Sequence, residues 1–126
     1  MFQNFQAMSS FPVNDIDKAR LFYEDTLGIQ TTDEAIGFTL HFADTKVFIY
    51  SKGQNHYPAN YFVLSITVPD INQAVVQLNE KGINLEIIEG MEHDEYGIIR
   101  GKAIHRGPDV ALFKDPAGNL LAVEEN

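Results

Sequence analysis

Residues 13–19 read VNDIDKA and residues 68–74 read VPDINQA, so the pattern Val-x-Asp-Ile-x-x-Ala occurs twice in this chain. Each copy closes an alternating apolar run, opens a helix-like segment and leads to Gly-Ile, at residues 28–29 and 82–83. A repeat of this length indicates a duplicated structural unit. The sequence therefore predicts two modules that share one order of elements.

The first module is predicted to span residues 5–52. Its helix begins at Asp15, which can cap the first turn, and its apolar positions recur at three- and four-residue steps until Gly28 ends it. Alternating or apolar runs bounded by polar residues predict one strand before the helix and three after it, at residues 7–13, 29–33, 37–42 and 46–51.

The second module is predicted to span residues 60–126, after a polar linker at residues 53–59 that contains glycine and proline. Asp70 with Gln73 makes a capping-box-like start to its helix, which ends near Gly82. Residues 89–108 lack a clear period and predict a long loop with one short strand. The other strands are predicted at residues 61–68, 85–88, 110–113 and 120–124, the last two joined by a turn at residues 115–119.

Two βαβββ modules in residues 1–126 predict a single α+β domain in which both modules share one curved mixed sheet. Neither module alone can cover both its helix and its sheet. If the helices cover one face of the sheet, the other face forms a concave cup of the size of a ligand. The long loop at residues 89–108 is a candidate lid over this cup.

The composition excludes several classes of function. The net charge of −9 opposes nucleic-acid binding, and the absence of cysteine excludes disulfides and thiolate chemistry. No signal peptide or membrane-spanning run is recognisable, which predicts a soluble cytoplasmic protein without a membrane partner. Two charged stretches are interpreted as solvated surface. The basic one contains Arg100, Lys102 and Arg106, and the acidic one, just upstream, contains Glu86, Glu89, Glu92, Asp94 and Glu95. The acidic stretch can alternatively attract a cationic small molecule.

The repeat, with Phe22-Tyr23 and Leu27-Gly28 after its first copy and FKDPAGNL at residues 113–120, resembles the vicinal oxygen chelate superfamily. That superfamily includes glyoxalase I, bleomycin-resistance proteins and extradiol dioxygenases. The resemblance covers nearly the whole chain and implies the two-module fold. It implies little about chemistry, because one scaffold hosts many activities.

The resemblance also identifies the four positions at which enzymes of this family hold a divalent metal. They correspond to Met8 and Val63, each seven residues before a repeat aspartate, to Ala122 after the Gly-Asn turn, and to Ile49 in the last strand of module one. None of these side chains offers the oxygen or imidazole donor that a divalent ion prefers. The resemblance therefore predicts a member of the family without a metal or other cofactor.

Four histidines remain as candidates for chemistry, at residues 41, 56, 93 and 105, and no two are at a chelating interval. For most of them a surface or hydrogen-bonded structural role is favoured. His41 is a weak catalytic candidate, because strand alternation puts it on the cup face, where it can act as a base. The alternative is a solvent-facing histidine.

Three functions stay open. The favoured one is a small-molecule-binding protein, similar to the bleomycin-resistance branch, that sequesters a cationic or planar compound and forms a homodimer. The second is a glyoxalase-type lyase or related enzyme with a shifted metal or none, using His41 or the loop residues Glu92 and His93. The third is a structural or regulatory dimer. The residues expected to line the cup and bind the ligand are Met8, Ser10, His41, Ile49, Val63, Ser65 and Ala122.

Overall fold

The computed structural model describes residues 1–126 and divides into two compact units, residues 1–57 and 58–126. The boundary lies inside the predicted linker at residues 53–59. Each unit contains one predicted module, and the two are described in turn.

The first unit has the predicted order of one strand, one helical segment and three strands. Its sheet has the order β1-β4-β3-β2, in which β1 is parallel to β4 and the other neighbours are antiparallel. The helix is α-helical only for its first half and continues as a π-helical segment, Leu21–Thr26. The bounds are β1 (Ser9–Val13), α1 (Ile16–Arg20), β2 (Gln30–Glu34), β3 (Gly37–His41) and β4 (Lys46–Ser51).

The core of the first unit forms where the helical segment crosses the sheet. Tyr23 is fully buried there, with its ring centroid 6.1 Å from that of Phe11 and 6.4 Å from that of Phe38. Aromatic rings at such separations add attraction beyond the area that they bury. One face of this sheet is therefore committed to packing against the helix.

The second unit repeats this order with shorter elements at one edge. Its sheet has the order β5-β8-β7-β6, in which β5 is parallel to β8 and the other neighbours are antiparallel. The strands thus form one four-stranded sheet in each module, where the sequence predicts a single shared sheet. The bounds are β5 (Phe62–Thr67), α2 (Ile71–Glu80), β6 (Ile99–Arg100), β7 (Asp109–Lys114) and β8 (Leu120–Glu125).

The repeat has the same structural role in both units. Asp15 accepts a hydrogen bond from the backbone N–H of Lys18 at 3.1 Å, and Asp70 accepts one from the N–H of Gln73 at 3.0 Å. Each aspartate is therefore the N-cap of its helix, satisfying an N–H that has no partner within the helix. The two predicted caps are confirmed.

The strand predicted at residues 85–88 is wrong. This segment makes one backbone hydrogen bond to the sheet, from the N–H of Glu86 to the carbonyl of Leu112 at 2.7 Å. The neighbour of β7 on that edge is instead β6, the short strand predicted within residues 89–108, which pairs with β7 at Val110 and Asp109. Two short segments thus share one edge of β7, and only β6 forms a ladder.

The predicted turn at residues 115–119 joins β7 to β8 and is built around one carboxylate. Asp115 is 5% exposed, and its Oδ1 accepts hydrogen bonds from the N–H groups of Ala117 and Asn119, both at 2.9 Å. Its Oδ2 accepts from Nδ2 of Asn119 at 3.0 Å. Gly118 takes a positive φ of 83°, which a glycine adopts without strain. The turn is therefore held by its own side chains.

None of the helices combines the length and the apolar character needed to cross a membrane.

A candidate ligand pocket

The register of the second sheet defines a face that does not pack against α2. Ser65, Ala122 and Leu112 are paired across β5, β8 and β7, so their side chains share one face, called here the Ser65 face. Glu125 lies on the opposite face, where its Oε2 accepts a hydrogen bond from the N–H of Ile71, the first residue of α2. The Ser65 face is thus the side of this sheet that the helix leaves available.

A β-bulge changes which residues of β5 belong to this face. Phe62 pairs with Leu120 and Leu64 with Leu121, so Val63 is the extra residue between them. Phe62 therefore faces the same side as Ser65, where simple alternation predicts the side of Leu64. Phe62 is 49% exposed. Alternation along the sequence cannot anticipate such an inserted residue.

A cavity of about 740 Å³ lies on the Ser65 face. Its volume is within the range of about 300–1,000 Å³ that is usual for small-molecule sites. The floor consists of apolar side chains from three strands, and the wall comes from the predicted loop, residues 90–94 and 101–108. The floor residues are Phe62, Ile99, Val110 and Leu112.

Two polar side chains organise the first half of the loop. Oδ1 of Asp94 accepts hydrogen bonds from the N–H groups of Tyr96 and Ile98, at 2.9 and 2.8 Å. Nε2 of His93 accepts from the N–H of Ile88 at 3.1 Å, and its Nδ1 lies 3.0 Å from the carbonyl oxygen of Gly97. Since a carbonyl can only accept, Nδ1 is the nitrogen that donates in this contact. Both nitrogens of His93 are thus engaged with the backbone, which is a structural role and not that of a base.

Arg100 fixes the loop to the rest of the second unit. It donates hydrogen bonds to Asp94 at 2.8 Å, to Asp109 at 3.2 Å and to Oδ1 of Asn72, in α2, at 2.6 Å. Asp109 is 6% exposed and also accepts from the N–H of Lys102. One guanidinium therefore joins the loop, the helix and strand β7.

The same contacts shift two pKa values. Burial raises the pKa of the Asp94 carboxyl, but the hydrogen bonds from Ile98, Arg100 and Tyr96 outweigh it, so the pKa lies below its usual value. Burial likewise lowers the pKa of Arg100, and its bonds to Asp94 and Asp109 more than compensate. Both groups are therefore charged at neutral pH and neutralise each other.

The charged residues of the pocket are balanced. Asp94 and Arg100 are paired, while the side chains of Glu92 and Arg106 are exposed and have no partner in the structure. Of the basic residues considered as a patch, Arg100 and Lys102 form ion pairs, Lys102 with Glu125. Although the whole chain is strongly acidic, the pocket therefore has one unpaired positive group, Arg106, and one unpaired negative group, Glu92.

In the first unit, the expected cup residues do not all share a face. Ser10 pairs with Phe48, whereas Ile49 pairs with Phe11 on the helix-packed side and is fully buried. The expectation that Ile49 lines the cup is therefore wrong, and Phe48 is the residue beside Ser10. Met8 is exposed and lies immediately before β1.

His41 is half-buried and lies on the Ser10 side of the first sheet, as alternation predicts. Its Nε2 is 2.6 Å from Oγ1 of Thr32 on the adjacent strand β2. Thr39, on the same side, donates to Glu34 at 3.1 Å. The structure thus gives His41 a hydrogen-bonded neighbour, and its catalytic role stays a prediction.

The side chains at the family's metal positions do not fit a divalent ion. The registers make Phe48 the counterpart of Ala122, because Ser10 pairs with the former and Ser65 with the latter. The fourth metal position of the family therefore corresponds to Phe48 and not to Ile49. A phenylalanine supplies no oxygen or imidazole donor either. Elsewhere, no group of three or more His, Asp or Glu side chains is arranged to hold a metal.

Sequence reasoning placed Ser65 and Ala122 on the face that carries the pocket but missed the residues that line it. The bulge conceals the side on which Phe62 lies, and Ile99, Val110 and Leu112 reach this face through strand pairings that the sequence does not specify. A usable signal was present in the loop, since Met91, Ile99 and Ile104 are apolar residues in a stretch otherwise rich in charge. Exposed apolar side chains in an otherwise polar loop often mark a surface that contacts a ligand or a partner.

Solved structures resemble this chain along its full length. A glyoxalase family protein from Enterococcus faecalis is 20% identical with a TM-score of 0.70, and the match covers 99% of this chain and 100% of that one. TnmS3, an antibiotic binding protein from Streptomyces sp. CB03234, is 22% identical with a TM-score of 0.68, covering 99% and 98%. A lactoylglutathione lyase from Agrobacterium tumefaciens is 15% identical with a TM-score of 0.66, covering 100% and 96%.

At these identities the structural matches establish the fold alone, and no protein of curated function matches the chain. The model of one family does match, over residues 6–123. The chain belongs to the Glyoxalase/Bleomycin resistance protein/Dioxygenase superfamily.

Proposed function

We propose that this protein binds a small molecule with a planar or aliphatic apolar body in the pocket on the Ser65 face. The observation that carries this proposal is the cavity of about 740 Å³ with four apolar side chains on its floor. An apolar floor removes the body of a ligand from water, and a few polar groups on the wall orient it. A sheet face that served only as a scaffold would not need such a cavity.

We propose further that binding is independent of a metal. Met8, Phe48, Val63 and Ala122 offer no ligand for a hard divalent ion, and His93 is engaged with the backbone. The chain shares its fold with an antibiotic-binding protein as well as with a lyase. Sequestration of a compound, without turnover, is the function that these residues support best.

The floor of the pocket provides the test. A thermal-shift screen with planar aromatic, cationic and thiol-conjugate compounds should find at least one that raises the melting temperature, because a ligand of the folded state stabilises it by mass action. Phe62→Ala should remove most of that shift. Tyr61→Ala is the matched control: Tyr61 is the adjacent aromatic residue, is exposed and does not line the pocket. Equal shifts in both variants would reject the assigned pocket.

Measurements on the same purified protein distinguish two alternative functions. A divalent metal present at one equivalent per chain after dialysis would favour a lyase with a shifted metal site and reject the metal-free proposal. A dimer that responds to no compound would favour the structural or regulatory reading. We expect a homodimer in either case, measured as the molar mass in solution.

A further inference from the structure

The charges around the pocket point to a narrower class of ligand than the composition suggests. Four charged residues line it: Glu92, Asp94, Arg100 and Arg106. Asp94 and Arg100 are bonded to each other, so neither is available to a ligand without breaking that pair. What remains for recognition is Glu92 and Arg106.

We propose that the ligand carries an anionic and a cationic group on an apolar body, with Arg106 binding the anion and Glu92 the cation. This inference rests on the proposed function, and it replaces the expectation of a simply cationic ligand. A guanidinium binds a carboxylate or phosphate oxygen by charge-assisted hydrogen bonds, and a carboxylate does the same for an ammonium group. Both residues belong to the polar wall, so the apolar body of such a ligand can contact the floor beneath them.

A purely cationic ligand fits this pocket less well. It would satisfy Glu92 but would bring a positive charge into the cavity that Arg106 also lines, and like charges oppose each other there. A purely anionic ligand would satisfy Arg106 but would bring a negative charge into the cavity that Glu92 also lines. A zwitterion satisfies both free groups and leaves the net charge of the occupied pocket unchanged.

The test uses four probes that share one apolar body. Naphthylalanine is the zwitterion, naphthylethylamine the cation, naphthylpropionic acid the anion and naphthylethanol the neutral reference. The chain has no tryptophan, so naphthyl fluorescence can be excited at wavelengths where its five tyrosines absorb little. We expect naphthylalanine to bind at least about fivefold more tightly than naphthylethanol.

Variants then assign each charge. Arg106→Gln should weaken binding of naphthylalanine and naphthylpropionic acid severalfold and leave naphthylethylamine unchanged or tighter. Glu92→Gln should weaken naphthylalanine and naphthylethylamine and spare the acid. Glu95→Gln and Lys81→Gln, at exposed positions outside the pocket, should change none of the four dissociation constants.

The two levels of the proposal fail in different ways. If naphthylethanol binds saturably and loses affinity in Phe62→Ala, while Arg106→Gln and Glu92→Gln change all four probes alike, the zwitterion inference is wrong and the pocket stands. If no probe binds saturably, both the inference and the proposed function are rejected. Since Glu92 and Arg106 are exposed and unpaired, their replacement should not unfold the chain.

Discussion

Replacing Arg100 with methionine is expected to lower the free energy of unfolding by about 2–3 kcal/mol. The variant keeps most of the aliphatic bulk but leaves Asp109, which is 6% exposed, without its cationic partner. It also releases the bond to Asn72 that ties the loop to α2. Removing one partner of a fully buried ion pair lowers the free energy of unfolding by more than this. The Arg100 side chain is 30% exposed, so solvent screening reduces the loss here. Urea denaturation measures it.

The matched control is Arg106→Met, which changes the same residue type in the same loop. The Arg106 side chain is exposed and unpaired, so its replacement should change stability by less than about 0.5 kcal/mol. Similar losses in the two variants would contradict the assigned role of Arg100.

The difference in unfolding free energy between the wild type and Arg100→Met should also depend on pH, which provides a second measurement. The pKa of Asp94 is lowered in the folded state, so its contribution to stability is complete above the unfolded value, about 3.9, and is lost as the pH falls through the folded value. Part of that lowering comes from Arg100. The gap between the wild type and Arg100→Met should therefore be widest near neutral pH and should narrow below about pH 4.

Replacing Asp115 with alanine is expected to lower the free energy of unfolding by about 3 kcal/mol. The change removes the acceptor of two backbone N–H groups and of the amide of Asn119, all in a turn where Asp115 and Asn119 are buried. Buried donors left without an acceptor lose their hydration and receive nothing in return. Thermal and urea denaturation measure the loss.

Asp44→Ala is the control for this prediction. Asp44 lies in the turn between β3 and β4, is exposed and has no side-chain partner, so its loss should cost less than about 0.5 kcal/mol. Asp115→Asn should be intermediate, because it keeps one acceptor oxygen but turns a nitrogen toward the amide of Asn119. If Asp115→Ala were as stable as Asp44→Ala, the turn would not depend on the carboxylate.

Much of the fold could be predicted because its signals are local. Asp15 and Asp70 cap helices through N–H groups three residues away, and Gly28 and Gly82 take positive φ angles just after the helical segments. These features need only the neighbouring sequence. The strand predicted at residues 85–88 failed because a strand needs a ladder of hydrogen bonds, and this segment makes only one to β7, from Glu86 to Leu112. The number of such bonds depends on tertiary contacts and not on the local sequence.

The site was less predictable because its residues are brought together by register. Alternation put Ser65 and Ala122 on one face, as their pairing shows, but one extra residue at Val63 moved Phe62 to that face as well. A one-residue error of the same kind put Ile49 where Phe48 lies. A shift of one residue reverses every side chain of a strand, so counting along the chain finds the strand more reliably than its faces.

The charge of the pocket was not predictable from composition at all. The net charge of −9 suggested a cationic ligand, yet Asp94 and Arg100 cancel within the pocket and leave one acid and one base free. Which charges cancel depends on contacts such as those of Arg100 with Asn72 and Asp109, from different elements. Local pairing therefore decides the electrostatics of the site.

The most direct test of a small-molecule pocket on the Ser65 face is a titration of the isotopically labelled protein with naphthylalanine, followed by amide and methyl NMR shifts. Saturable shifts should concentrate at the floor residues Ile99, Val110 and Leu112 and on the loop at residues 90–94 and 101–106. Saturable shifts that concentrate at residues outside this pocket, or no saturable shift with any of the four naphthyl probes, would contradict the assignment.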